Sequence, residues 1–266
     1  MARRRSDDSS APLPPVAELA QLAQDLDLTA LRDAIPEALK AAEKENCSFT
    51  EFALRLLRVE VAQRKARWRS RMERHSRLGP EVNLDGFDFS IRPGLDARVV
   101  RELLLCRFVY ERRPLVLVGP PGMGKTRICR AIGHAACRLD LSVFYGMTAQ
   151  ILEELAASLV DGTYKRTLRR YTKPDLLILD EFGYVGLDKT AARHLFRLVS
   201  ERHEKASTII AANTGFKRWK SFFPSEAECV ATVDRLVDKA TILRFGGKPF
   251  RGPQETHGAP LDGDEK

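Results

Sequence analysis

Four apolar residues, Leu115 to Val118, run directly into Gly119-Pro120-Pro121-Gly122-Met123-Gly124-Lys125-Thr126. The octapeptide fits G-x-x-x-x-G-K-[ST], the P-loop. A triphosphate has to be gripped by many donors at short range. Backbone N–H groups can do this only where side chains leave them exposed, hence the glycines. The helix that follows turns its positive end toward the phosphates. Lys125 reaches the β- and γ-phosphates, and the Thr126 hydroxyl is a ligand for Mg²⁺. The expected ligands are therefore ATP and Mg²⁺. The local fold is equally restricted, because the motif works only as strand, loop and helix.

The rest of the chain repeats that alternation. Helical text runs from Lys125 to Arg138, near Ala149–Val160, at Thr190–Lys205 and at roughly Ala231–Lys239. Strands are expected at Leu115–Val118, Ser142–Tyr145, Leu176–Leu179, Ser207–Ala212 and Thr241–Arg244. Strands alternating with helices argue for a parallel sheet covered on both faces. Upstream, residues 16–78 are helical, with Leu19, Leu22, Leu26, Leu28, Leu31, Ile35 and Leu39 at helical spacings. Ser48 with Glu51 three residues on opens a further helix. Gly79-Pro80 breaks it, and residues 79–100 read as a linker with turns, its Phe87 and Phe89 packing on the core that follows. The expected fold is α/β: a P-loop core over residues 101–251 with a five-stranded parallel sheet between helices, preceded by a small all-helical domain. Residues 1–15 and 252–266 are expected to be disordered tails.

Three further positions fit nucleotide chemistry. Leu176-Leu-Ile-Leu179 ends in Asp180-Glu181. Acids at the carboxyl end of a buried strand stand where ligands bind in open α/β sheets. Asp180 would hold Mg²⁺ and Glu181 would polarise the attacking water. Ser207 to Ala212 ends in Asn213, an uncharged polar group able to orient that water or touch the γ-phosphate. Arg235, in a helix just before the last strand, suits an arginine given to a neighbouring subunit's γ-phosphate.

Charge supplies the next signal. The chain has 266 residues and a net charge of +8. Between Arg55 and Arg77 nine basic residues face only Glu60 and Glu73, a local charge of +7. A solvated helix face usually mixes signs. This stripe, with Arg64, Lys65, Arg67, Arg69, Arg71 and Arg74 at its centre, is an electrostatic footprint for duplex DNA. A smaller basic group, Lys165, Arg166, Arg169, Arg170 and Lys173, precedes the acidic strand and could face a central channel in an assembly of subunits. No apolar run approaches the roughly 18–20 residues of a membrane span, and the basic start has no apolar stretch after it. The five cysteines are scattered, with no metal spacing among them. A reducing cytoplasm is the expected compartment.

Together these stretches resemble the AAA+ ATPases, in particular the IstB-like group, which stands close to the DnaC-type helicase loaders. The resemblance runs from about Leu28 to Arg251. It rests on the Arg-rich helical region, the FDF linker, GPPGMGKT, LLILDEFGYV, TIIAANTGFKRW, DRL and GGKPFR, in that order. It implies an ATP-dependent helper of transposition that oligomerises on DNA as a ring or filament, recruits or activates a transposase, and hydrolyses ATP to ADP and phosphate. It further implies that Lys125 and Thr126 are Walker A residues, Asp180 and Glu181 Walker B, Asn213 sensor 1 and Arg235 the arginine finger. The chain departs from the pattern in two ways. Glu181 stands where relatives often carry a second Asp, and no helical lid with its sensor 2 arginine is expected after the fifth strand. Arg251 is a weak substitute for that arginine.

A DnaC-like helicase loader is the alternative reading; its N-terminal region should bind protein more than DNA, and the +7 helix favours the first. A non-hydrolysing nucleotide-dependent scaffold is opposed by Glu181. A small-molecule kinase would need an acceptor pocket and lid.

Overall fold

The computed structural model describes residues 13–90 and 94–246. The expected tails at 1–12 and 252–266, and Arg251 with them, lie outside the described residues. The chain divides into two compact units, residues 1–70 and 71–266. The division falls inside a helix, some residues before the Gly79-Pro80 break. Among the described residues, no helix is long and apolar enough to cross a membrane.

The first unit holds α1 (Pro15–Asp25), α2 (Thr29–Glu45) and most of α3 (Phe49–His75). The periodicity from Leu19 to Leu39 reads as continuous helix, but the chain turns at Asp27, whose φ is 56°. Ser48 caps α3 through its hydroxyl, which accepts from the Glu51 N–H at 3.2 Å. Ala23, Leu31, Ile35 and Leu56 form a small core. Within it Glu60 is 4% exposed. Its carboxylate accepts from the Leu31 N–H at 3.0 Å and from Arg64 Nε at 2.8 Å. An orphan donor in the first turn of α2 is thereby satisfied across the helix pair. The Arg64 hydrogen bond, aided by the Leu31 N–H, holds this carboxyl below its usual range against the opposing effect of burial. Arg67 in turn donates to Thr29 Oγ1 at 2.8 Å.

The second unit carries α4 (Ala97–Leu103), α5 (Arg107–Tyr110), β1 (Leu115–Val118), α6 (Lys125–Arg138), β2 (Val143–Met147), α7 (Thr148–Val160), α8 (Tyr164–Thr172), β3 (Leu176–Phe182), α9 (Lys189–Arg202), β4 (Ser207–Ala212), a 3₁₀ stretch (Phe216–Phe222), α10 (Glu226–Val237) and β5 (Thr241–Arg244). The five strands pair in parallel in the order β2-β3-β4-β1-β5. Alternate residues on each central strand serve opposite faces. Leu115, Leu117, Ile178 and Ile209 join the core under α6, whereas Val116, Val118, Leu177, Leu179 and Ile210 join the core under α7 to α10. Both faces are covered, so the strands read as unbroken apolar runs.

Several helices differ from the sequence reading, which gave none at α5 or α8. Residues 97–100 open α4, because Asp96 caps the Arg98 N–H at 2.7 Å; as sequence, Asp96 reads as one more turn residue. The last helix starts at Glu226 instead of Ala231, because Ser225 caps it: its hydroxyl accepts from the Glu228 N–H and donates to the Glu228 carboxylate.

The linker is strapped to α6. Arg127 donates to the carbonyls of Asn83 and Asp85, Arg130 to that of Pro80, and Arg138 pairs with Glu81. His134 Nε2 meets the Pro80 carbonyl at 3.1 Å. Phe87 is buried beneath the strap, 4.7 Å from the Phe89 ring, so the expected packing of the two aromatics is found.

At the opposite end of the sheet Arg202 is 1% exposed. A buried guanidinium is costly unless its donors are met. Here Nε donates to Thr208 Oγ1 at 3.0 Å. Nη1 donates to the carbonyls of Tyr171, Thr172 and Pro174, and Nη2 to that of Ser207. The residue ties the end of α8 to the start of β4. Arg202→Met leaves those carbonyls buried without a donor, at a cost of about 1–3 kcal/mol each before relaxation. Its melting temperature is expected to fall by about 10 °C, for a net loss of roughly 3–4 kcal/mol in a domain of this size. Calorimetry showing a fall under about 2 °C would mean that the network contributes nothing net.

Candidate active site

A parallel sheet brings all its carboxyl ends to one side, and the strand order decides which of them are neighbours. Because β4 lies between β1 and β3, the loop after β4 stands between the P-loop that leads into Lys125 and the end of β3 that carries Asp180. Gly122, Gly124, Lys125, Thr126, Asp180, Glu181 and Asn213 accordingly line one open cleft.

The P-loop is built on two backbone necessities. A Cβ on Gly119 would stand 2.4 Å from the Phe245 carbonyl oxygen, so only glycine lets β1 turn there. Gly124 precedes α6 with φ 89°, a left-handed conformation that a side chain disfavours. Between them Met123 is 1% exposed and anchors the loop in the core. Pro120 and Pro121 are exposed. Lys125 is 5% exposed, and its Nζ donates to the Gly119 and Pro120 carbonyls, each at 2.7 Å. Burial pulls the ammonium's pKa down and the Asp180 charge opposes that. The cation is thus held against its own loop, where a phosphate oxygen would compete for the same protons. Thr126 is exposed on the cleft wall.

Alternation along β3 places Asp180 on the α6 face, the same side as Ile178. After it the ladder slips: Leu179 pairs with Ile210 and Phe182 with Ala212, so Asp180 and Glu181 together oppose Ala211. This bulge returns Phe182 to the other face, 4.7 Å from the Trp219 ring. It also puts Glu181 at φ 53°, a strained conformation for a residue with a side chain, costing about 1–3 kcal/mol. The exposed Glu181 carboxylate is thereby delivered to the cleft wall. Asp180 itself is 2% exposed. Its Oδ1 accepts from the Glu181 N–H at 2.9 Å, its Oδ2 from the Tyr145 hydroxyl at 2.8 Å, and its carbonyl from Thr148 Oγ1 at 2.8 Å. Burial, then the neighbouring Asp180 charge, pushes the Tyr145 phenol well above its usual range, so it stays a donor.

The donor set fits Mg²⁺ bound mainly by phosphate and water. Among the described residues no group of three or more His, Cys, Asp or Glu side chains converges on a cation. Of the oxygen groups that line the cleft, the Asp180 carboxylate and the Thr126 hydroxyl would be the sparse protein share that Mg²⁺ takes beside a phosphate. When bound there, Mg²⁺ would neutralise charge on the phosphate oxygens.

Arg235 does not join this cleft. It lies near the end of α10 with its guanidinium 4.9 Å from the Phe196 ring centre, donating to the Ala231 carbonyl at 2.7 Å. Its neighbours are Arg112, Arg113 and Pro114 at the opposite ends of the strands. Lys165, Arg166, Arg169 and Arg170 are exposed on α8. Arg170 is engaged there, with Glu154 at 3.2 Å and over the Phe144 ring at 5.2 Å. Of the basic stripe on α3, Arg64 and Arg67 make the bonds to Glu60 and Thr29 described above, and Lys65, Arg69, Arg71 and Arg74 are exposed.

Sequence reasoning missed Tyr145, Thr148, Arg127, Arg130 and Tyr184, all at or beside the cleft. Tyr145 had a signal in principle: a hydroxyl-bearing residue near the carboxyl end of a strand that pairs with the acidic strand. The pairing of β2 with β3 is not readable from either strand alone.

The model of the family described as IstB-like ATP binding protein matches residues 20–257. The chain is 32% identical over 234 residues to the insertion sequence IS21 ATP-binding protein of Pseudomonas aeruginosa, covering 88% of each. It is 31% identical over 210 residues to the insertion sequence IS5376 ATP-binding protein of Geobacillus stearothermophilus, covering 79% of this chain and 84% of the relative. Among solved structures, DnaI is similar in fold at TM-score 0.52 and 19% identity, over 64% of this chain and 90% of that one. The replication initiator DnaA bound to AMPPCP and single-stranded DNA is similar at TM-score 0.51 and 21% identity, over 64% of this chain and 51% of that one. The fold is the P-loop AAA+ fold, and the chain belongs to the IstB-like ATP binding protein family.

Proposed function

We propose that this protein is an ATP-driven, DNA-binding helper of transposition that hydrolyses ATP to ADP and phosphate. The observation that carries the reading is the convergence of Lys125, Thr126, Asp180, Glu181 and Asn213 on one cleft from three adjacent strands. Lys125 and the loop N–H groups bind the phosphates. Thr126 and Asp180 hold Mg²⁺, Glu181 polarises the attacking water and Asn213 orients it. Arg235, remote from its own chain's cleft, acts on a neighbouring copy, so turnover requires the oligomer. The relatives named for insertion sequences IS21 and IS5376 support the transposition setting, and a transposase is the protein partner.

The exposed cations of α3 contact duplex DNA, and the exposed cations of α8 contact it as a separate group. On α3, the exposed Lys65 and Arg71 carry phosphate contacts, with the exposed Arg69 and Arg74 on the same helix. A helicase loader would share the cleft and the fold, which the likeness to DnaI supports equally. It would use this helix on protein, not on DNA.

Three outcomes test the proposal. Lys125→Ala is expected to abolish ATP binding measured by titration, and an unchanged affinity sinks the phosphate-site reading. Glu181→Gln keeps ATP binding and lowers turnover by roughly 10²–10⁴-fold, the usual loss of a general base; turnover near wild type assigns the water to another group. Replacing Lys65, Arg69 and Arg71 with Gln weakens duplex binding and flattens its salt dependence. Each DNA phosphate that is no longer neutralised takes about 0.9 from the slope of log K against log salt, so three take about 2.7. A slope that stays put, with ATP present, moves α3 to a protein partner.

A further inference from the structure

A carboxylate at 2% exposure has almost no water to orient it. For Asp180 two donors do this. The Glu181 N–H takes Oδ1 at 2.9 Å and is placed by the bulge in its own strand. The Tyr145 hydroxyl takes Oδ2 at 2.8 Å and comes from the neighbouring strand. Tyr145 lies two residues before Met147, the residue that pairs with Asp180 across the ladder. It is itself fixed. Its N–H donates to the Ser76 carbonyl at 2.7 Å, and its ring packs on the core of the α6 face.

We infer that Tyr145 is a positioning residue for the divalent-cation site, its hydroxyl holding the Asp180 carboxylate in the orientation that the cation meets. The inference rests on the reading of Asp180 as a Mg²⁺ ligand. Groups that orient metal ligands commonly matter to metal affinity by about 10–100-fold. The Tyr145 hydroxyl donates to Asp180 and not to the nucleotide loop, so its removal is expected to act on the cation and leave the cation-independent grip alone.

The test is binding of a fluorescent ATP analogue, mant-ATP, to the full chain, first in EDTA and then with Mg²⁺ titrated in. Tyr145→Phe keeps the ring and removes the donor. Tyr145→Leu, which removes the same donor with a different shape, is measured beside it. Both are expected to bind mant-ATP in EDTA within about twofold of wild type and to need about 10–100-fold more Mg²⁺ for half of the Mg²⁺-dependent gain. In an Asp180→Asn background, adding Tyr145→Phe should change nothing further, since the partner it orients is gone. An unchanged Mg²⁺ midpoint overturns the inference. So does equal weakening with and without Mg²⁺, the mark of a purely structural role, or an effect that persists beside Asp180→Asn. If wild type itself gains nothing from Mg²⁺, the reading of Asp180 as a ligand fails and the inference with it, an outcome told apart because it shows before any substitution.

Discussion

Burying a negative charge beside a buried ammonium is the constraint around which the second unit is organised. Asp180 and Lys125 are 2% and 5% exposed, and each needs partners that water cannot supply. The carboxylate takes its donors from β2 and from its own bulged backbone. The ammonium takes its acceptors from the turn that Gly119 makes possible. Each solution fixes a piece of chain: the β2–β3 pairing, the slip in β3, the tight exit of β1. The open cleft is what remains between these three fixed pieces, lined by Lys125, Thr126 and Asn213.

The P-loop strand and helix, and the strands β4 and β5, were legible to the residue, because an apolar run bounded by turn residues leaves little choice of period or length. The roles assigned to Asp180, Glu181 and Asn213 needed only the rule that parallel strands point their carboxyl ends the same way. What escaped was whatever depends on pairing. Tyr145 acquires its meaning from β3, and the extension of β3 to Phe182 comes from a bulge, which one-dimensional alternation cannot show. Asp96 and Ser225 escaped for a different reason: the residue types that cap helices are also those that make turns.

The first unit shows how a charge run can be divided between two tasks. As text, the arginines of α3 are one stripe. In the structure two members, Arg64 and Arg67, are engaged within the unit, Arg64 with Glu60 of the same helix and Arg67 with Thr29 of α2. A net charge counted along a helix therefore overstates what that helix can offer to a polyanion.

The strap over α6 has a mechanical meaning. Arg127, Arg130, His134 and Arg138 grip the chain between Pro80 and Asp85 along the length of one helix. A segment pinned at such close intervals has little slack, so tension applied at Gly79 is handed to α6 with almost no loss in between. Lys125 and Thr126 form the first turn of that helix. A pull on the linker would thus bear on the helix whose first turn carries the residues at the phosphate loop.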